Sequence, residues 1–294
     1  MRLAYSTNGY TRRSLPDAVR AIGAAGYAGV EILADAPHWV PARCGADALR
    51  ELRAALADAG LAVSNINANT AAALWPAPPP EPVFEPSLSN HDPAVRRRRI
   101  EYTIACLDLA AELGAPAVSV TSGRPEAGVP PAEGMAFFAE SLAVLCQRAE
   151  AIGVRLGIEA EPGLLVESSR EVRALIDGVG APSLGANLDV GHAVCAYEDP
   201  VEAIERLSGR IWNLHLEDIA GRKHYHLVPG EGDLDFDAVF AALDGQGYAG
   251  FCTVELYTCA AHDQEAASRA FEHLAPKLRA VLMERSRRPA RGEP

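Results

Sequence analysis

Four residues in the second half of the chain are of the types that hold a divalent metal ion: Glu159, Asp189, His215 and Glu255. Each sits at the end of a short apolar run. The runs are RLGIEAEPG (155–163), LGANLDVGH (184–192), IWNLHLED (211–218) and FCTVELY (251–257). Successive ligands are 30, 26 and 40 residues apart, the length that a strand, a crossover helix and two loops require, since a βαβ unit takes roughly 30 residues or more. Ligands at the ends of successive parallel strands converge on one point, as at the C-terminal face of a (β/α)8 barrel. Three carboxylates and an imidazole suit one hard or borderline divalent ion, manganese first, with magnesium, cobalt or zinc as alternatives. A structural zinc site would recruit thiolates, and the six cysteines form no CxxC pair. An ion on the rim acts as a Lewis acid. Glu159 and Glu255, from the fifth and eighth strands, would face a substrate from opposite sides. That arrangement suits taking a proton α to a carbonyl and returning it, through an ene-diolate.

Side-chain alternation supports this placement, because strand residues two apart share a face. Glu159 shares its face with Gly157, Asp189 with Asn187, His215 with Asn213 and Glu255 with Thr253. The opposite face carries Leu156 and Ile158, Leu188 and Val190, Leu214 and Leu216, and Val254 and Leu256. The aliphatic set would pack under outer helices and leave the small and polar set inside a barrel.

The elements that must position these residues read as eight strand–helix alternations in one α/β chain, a single (β/α)8 TIM barrel over 1–284. The first four strands are expected at 3–7, 29–33, 61–67 and 117–121. Helices are expected after Ser14 with Pro16 in the first turn, at 46–59 before Gly60, at 93–113 before Gly114 and at 132–151. Further helices are expected at 169–177, 200–207, 236–243 and 264–284. The last ten residues, 285–294, read as a disordered tail. With 294 residues, 49% apolar and 22% charged, the chain is an ordinary globular protein with an ample core. Its net charge of −12 argues against nucleic-acid or anionic-membrane partners, which need an excess of Lys and Arg. No signal-peptide core and no run of about 20 apolar residues is visible, so a cytoplasmic location with reduced thiols is expected. A homo-oligomer is left open.

Several other residues are candidate substrate contacts. His192 lies three residues after Asp189, in the loop expected beyond that strand. Glu161 follows Glu159 by two residues and is, with His192, the next candidate base. After strand seven, GRKHYHLVPGEGDLDF (221–236) carries Arg222, Lys223, His224 and His226. Arg222 or Lys223 would bind an anionic group, and the two histidines would point the same way in extended chain. The Pro-rich stretch 71–93 leaves the end of strand three, so Trp75 and Phe84 would wall the pocket. The run Arg96–Arg97–Arg98–Arg99 spreads around its helix and reads as a solvated helix start.

The motifs LGIEAEPG, NLDVGH, NLHLED, HLVPGEGDLDF and TVELY resemble those of the sugar phosphate isomerase/epimerase family, and the similarity begins with GVEIL at 29–33. These xylose-isomerase-like barrels include ketose 3-epimerases, inosose isomerases and dehydratases, and dehydroshikimate dehydratases. The resemblance implies that Glu159, Asp189, His215 and Glu255 bind the metal, that Glu159 and Glu255 double as acid and base, and that His192 contacts a small carbohydrate-like substrate. Where the ketose 3-epimerases usually carry an Arg this chain has Gly221, with Arg222 next, so the resemblance does not by itself imply hexose 3-epimerisation. A dehydratase built on the same ene-diolate chemistry is the rival reading. An endonuclease IV-like phosphodiesterase, to whose zinc cluster His192, His224 and His226 would fit in part, is the remote one. Against it stand the acidic charge and the SNIN and VTSG ends of strands three and four, where that family supplies histidines.

Overall fold

Eight short strands, all parallel, close on themselves in chain order. They are β1 (Arg2–Ser6), β2 (Gly29–Leu33), β3 (Ala62–Asn67), β4 (Ala117–Val120), β5 (Arg155–Ile158), β6 (Leu184–Asp189), β7 (Ile211–Leu216) and β8 (Phe251–Val254). β8 closes the barrel on β1 with Ala4 opposite Thr253. Outside them lie α1 (Leu15–Ala24), α2 (Ala46–Ala59), α3 (Pro93–Leu113), α4 (Pro131–Ile152), α5 (Ser169–Val179), α6 (Val190–Cys195), α7 (Pro200–Arg206), α8 (Phe236–Gly245) and α9 (Asp263–Arg287). This computed structural model describes residues 1–75 and 84–287. No helix among them is long and apolar enough to cross a membrane. The expected α/β barrel is therefore the observed one. The last helix runs three residues past the expected boundary at 284, to Arg287, and the remainder of the expected tail lies outside the described residues.

The local signals act as expected at the helix ends. Ser14 Oγ caps α1 by accepting from the Asp17 N–H, and Ser168 with Glu171 forms a capping box on α5. α3 ends at Gly114, whose left-handed φ of 69° turns the chain into β4. The aliphatic faces of the strands are buried under the helices in one continuous core, with Leu156, Ile158, Leu214 and Val254 fully enclosed.

The interior of the barrel is different in kind. Glu31, Asn65, Ser119, Asn187, Asn213 and Thr253 all point into it and are buried. They satisfy one another: Asn65 Nδ2 donates to Glu31 Oε2 at 2.8 Å and to Ser119 Oγ at 2.9 Å, and Asn213 Nδ2 donates to Asn187 Oδ1 at 2.7 Å. Two register shifts make room for this layer, between Val30 and Glu31 where β2 meets β3 and between Ala186 and Asn187 where β6 meets β7. Gly185 sits at the second. A Cβ there would lie 2.4 Å from the Arg210 carbonyl oxygen and 2.2 Å from the Trp212 indole nitrogen.

The arginine run is not a uniformly solvated helix start. Arg97 and Arg98 are exposed, but Arg99 is only 1% exposed. The period of α3 turns it inward under the end of β3, where its guanidinium donates to the Ala68 and Asn69 carbonyl oxygens. A charge in this position is tolerated because it replaces the ladder partners that the chain loses on leaving the sheet. Arg99→Met keeps the stem and removes the donors. It is expected to destabilise the fold by about 2–3 kcal/mol in chemical denaturation, whereas Arg97→Met should be near neutral.

Candidate metal centre

β5 to β8 deliver the four ligand candidates to one point at their C-terminal ends. Glu159 follows β5 directly, its N–H bonded to the Val120 carbonyl oxygen at 2.9 Å, and Glu255 follows β8, its N–H bonded to Leu216 at 3.0 Å. Asp189 ends β6 and His215 lies within β7. All four are at most 5% exposed, and one ligand atom from each lies within 4.8 Å of the others. His215 Nδ1 is 3.1 Å from Glu159 Oε1, 3.5 Å from Glu255 Oε2 and 3.9 Å from Asp189 Oδ2.

The residues present fit a divalent ion. Asp189 doubles as the N-cap of α6: Oδ1 accepts from the Gly191 and His192 N–H groups at 2.8 and 2.9 Å, while no nitrogen or hydroxyl donor reaches Oδ2 and the proton-holding Glu217 hydrogen-bonds to the carboxylate. One oxygen is thus spent on the helix and the other turns to the centre. His215 Nε2 is taken by Glu31 Oε2 at 2.7 Å, which turns Nδ1 toward the carboxylates. An oxygen-rich donor set with one imidazole and no cysteine suits a hard or borderline ion.

Glu31 was not singled out from the sequence. It accepts from Asn65, Asn67 and Asn213 besides His215, and so holds the ring that faces the ligands. Its only trace in the sequence is an acidic residue in the middle of the apolar strand GVEIL. Asparagines form the rest of the support. Asn69 Nδ2 donates to Glu159 Oε2 at 2.6 Å, and Asn187 donates to the same oxygen. Asn8 and Asn67 donate to Glu255 Oε1 at 2.7 and 2.9 Å. Glu217 is buried beside Asp189, and a Cβ on Gly191 would collide with its Oε1 at 1.8 Å.

So many buried ionisable groups shift one another. Burial, then the neighbouring Glu159 and Glu31 charges, raise Glu255 to about 8 against the pull of His215. Burial and the Glu159 and Asp189 charges raise Glu161 to about 7, opposed by His192. Glu217 is pushed well above the carboxylate range by burial and by Asp189. Burial opposes charge on His192 and His215, but the surrounding carboxylates prevail: His192 rises to about 9, and His215 well above its ordinary value. Asp189 and Glu31 go the other way. Burial would raise both, yet facing imidazoles and donated hydrogen bonds hold them below the usual range.

The remaining candidates divide. His192 lies in the first turn of α6, not in a loop as expected, because Asp189 caps a helix as soon as the strand ends. Its Nδ1 donates to the Ala160 carbonyl oxygen at 2.8 Å. Its Nε2 meets His224 Nε2 at 2.8 Å, which in turn meets His226 Nε2 at 2.7 Å. The two downstream histidines thus converge, although not through plain extended chain, since His226 has a φ of +46°. Burial brings His224 down to about 4 and His226 to about 3, with the His192 charge adding to it. A cavity of about 470 Å³ opens over the ligands. Glu161, His224, His226, Phe84, Arg124 and Tyr257 are among the residues that line it. Arg222 is elsewhere: it is exposed, with its guanidinium 3.9 Å over the Tyr197 ring. Lys223 is exposed as well. Trp75 donates to the Glu85 carbonyl oxygen at 2.6 Å and lines an adjacent hollow that shares Arg124. The centre of the Pro-rich stretch, 76–83, lies outside the described residues.

A family model described as xylose isomerase-like TIM barrel matches residues 19–277. Fructoselysine 3-epimerase of Escherichia coli O157:H7 is 24% identical over 262 residues, covering 88% of this chain and 91% of that protein. Inosose dehydratase of Clostridium perfringens is 30% identical over 134 residues, covering 40% of this chain and 45% of that protein. Among solved structures, a D-tagatose 3-epimerase-like protein superposes with a TM-score of 0.80 at 21% identity, covering 97% of this chain and 99% of that one. The IOLI protein with a binding zinc atom gives 0.77 at 18%, covering 96% and 99%.

Two outcomes are expected of this centre. Glu31→Gln keeps the volume but weakens the hold on His215, so affinity for Mn²⁺ should fall about 10–100-fold in calorimetric titration. The second concerns pH. Glu161, Glu255, Glu217, His192 and His215 all bind protons more tightly folded than unfolded, so the stability they affect declines as pH rises toward their folded values. The lowered groups, His224 and His226 among them, act below about pH 6.5. The Tm of chelator-treated protein should therefore fall between pH 6.5 and 9. Saturating Mn²⁺ should remove most of that fall, because a cation takes the place of the protons.

Proposed function

The chain belongs to the xylose isomerase-like TIM barrel family and is an enzyme, and from that premise we propose that it is a divalent-metal-dependent isomerase or epimerase. Its substrate is a small carbohydrate-like carbonyl compound, a keto-sugar, sugar phosphate or cyclitol. The observation that carries this reading is the pair of buried glutamates facing each other across His215, with Oε1 of Glu159 and Oε2 of Glu255 both within 3.5 Å of its Nδ1. Their outer oxygens are tied by asparagine amides, so each inner oxygen is aimed at the same small volume.

Glu159, Asp189, His215 and Glu255 would hold the ion. When bound, it supplies Lewis-acid polarisation of a carbonyl or hydroxyl oxygen, and manganese suits the oxygen-rich set, with magnesium, cobalt or zinc next. The chain's own groups move the protons. One glutamate takes the proton α to the carbonyl, and the other returns one to the neighbouring carbon or the opposite face. Glu161, His192 and His226, which border the cavity or pack behind its wall, would bind substrate hydroxyls.

A dehydratase is the second reading, favoured by the similarity to inosose dehydratase. It differs only in the fate of the ene-diolate, which expels a β-hydroxyl in place of recapturing a proton. Metal-loaded protein incubated in D₂O with keto-sugars, inososes and dehydroshikimate separates the two. Deuterium incorporation without loss of water supports the isomerase; a new enone or aromatic product supports the lyase.

The two glutamates are tested by Glu159→Gln and Glu255→Gln, which preserve length and one oxygen ligand but cannot carry a proton. Both should retain much of the metal, with turnover down about 10²–10⁴-fold. One variant should still exchange the substrate α-proton with solvent without forming product, and the other should do neither. Near-normal turnover in a metal-loaded variant would make that glutamate a ligand alone.

A further inference from the structure

Two buried acceptors in the cavity have nothing to accept. Asn8 and Asn69 are 9% and 6% exposed, both line the cavity, and the Oδ1 of each lacks a hydrogen-bond donor among the described residues. Their orientation is fixed by chemistry. A glutamate that holds the ion is ionised and only accepts, so Asn8 turns its Nδ2 to Glu255 and Asn69 its Nδ2 to Glu159, at 2.7 and 2.6 Å. Each oxygen is thereby turned away from its glutamate. Asn67, between them, is the contrast: its Nδ2 serves Glu31 and Glu255, but its Oδ1 is satisfied by the Asn69 N–H at 3.2 Å.

Both asparagines are held in place before any ligand arrives. The Asn69 carbonyl oxygen accepts from Arg99 Nη2 at 3.1 Å and from Thr121 Oγ1 at 2.9 Å. Asn8 stands in the 3₁₀ turn Thr7–Tyr10, with its N–H on Ser6 Oγ. Burying an acceptor without a donor is unfavourable, and pinning its backbone keeps it from swinging out to water. Such an atom is suited to one thing, a donor brought in by the ligand.

We infer that Asn8 and Asn69 are specificity residues, each accepting a substrate hydroxyl proton through Oδ1, one beside Glu255 and the other beside Glu159. The inference rests on the proposed proton transfer between those glutamates and deepens it by naming a substrate class. The substrate carries a free hydroxyl on each side of the carbon atoms that exchange protons. A compound deoxygenated or alkylated on either side leaves one acceptor unpaired and is rejected.

The test uses metal-loaded wild type, Asn8→Ala and Asn69→Ala, each checked for metal content and circular dichroism. The substrates are the best-turned-over member of the keto-sugar and inosose panel and its two mono-deoxy counterparts, one at each carbon flanking the pair that forms the ene-diolate. In wild type, each deoxygenation should cost about 10–100-fold in kcat/KM. Asn69→Ala should abolish the penalty at one position and keep it at the other, and Asn8→Ala should do the reverse. If either variant slows all three substrates by one factor, the asparagine only supports its glutamate and the inference fails.

Sorbitol, a polyol with no carbonyl to react, supplies a second readout by calorimetry. Wild type should bind it about tenfold or more tightly than either variant. Equal binding, or no binding by wild type, overturns the inference. If no panel member turns over while sorbitol binding still depends on both asparagines, the proton-transfer reading falls and the hydroxyl recognition stands.

Discussion

The hydrogen bond from His215 to Glu31 stands at the bottom of the site, and the arrangement above depends on it. A buried imidazole among carboxylates can turn either nitrogen toward them. Glu31, held by three asparagine amides, claims Nε2 and leaves Nδ1 for the centre. The same amides carry the constraint outward: Asn67 links Glu31 to Glu255, and Asn213 links it through Asn187 to Glu159. One buried carboxylate thus sets the angle of a candidate histidine ligand and the spacing of both candidate proton carriers.

Such a network is costly to bury unless it is complete. The barrel interior meets that condition by pairing almost every amide and hydroxyl within the layer. Several of the groups left over lie at the rim, among them Asp189 Oδ2 and the oxygens of Asn8 and Asn69, while Asn65 Oδ1, Tyr5 Oη and the His38 ring nitrogens lie elsewhere. Unmet hydrogen-bonding capacity at the rim suits a cation and a polyhydroxylated ligand. Arg99 shows how far the support extends. A charged residue of α3 is buried to fix the backbone of Asn69, and Asn69 fixes Glu159.

Asp189 concentrates several functions in one side chain. It ends β6, caps α6 and turns its second oxygen to the centre, and the helix it starts places His192 behind His224 in the cavity wall. Because the cap is the same residue as the candidate ligand, α6 and the centre cannot be displaced independently. The imidazoles of His192, His224 and His226 then form one wall, supplied by elements that follow two different strands.

The sequence by itself determined the barrel and the four side chains, Glu159, Asp189, His215 and Glu255, that converge at its C-terminal end. Alternation and spacing are properties of the backbone repeat, so a polar residue ending each of four apolar runs can face only one way. The helix ends were equally local, as the glycine after α3 and the serine before α1 show. Tertiary structure decided what depends on residues far apart in the chain. Glu31 and His215 are 184 positions apart and Asn8 and Glu255 are 247 apart, and no local pattern announces a contact across a closed barrel. The inward turn of Arg99 depended on which helix face met β3. Arg222 carries the right charge for an anion site, but the chain folds its segment outward against Tyr197. Local rules set which face a side chain takes; closure of the barrel set which side chains meet.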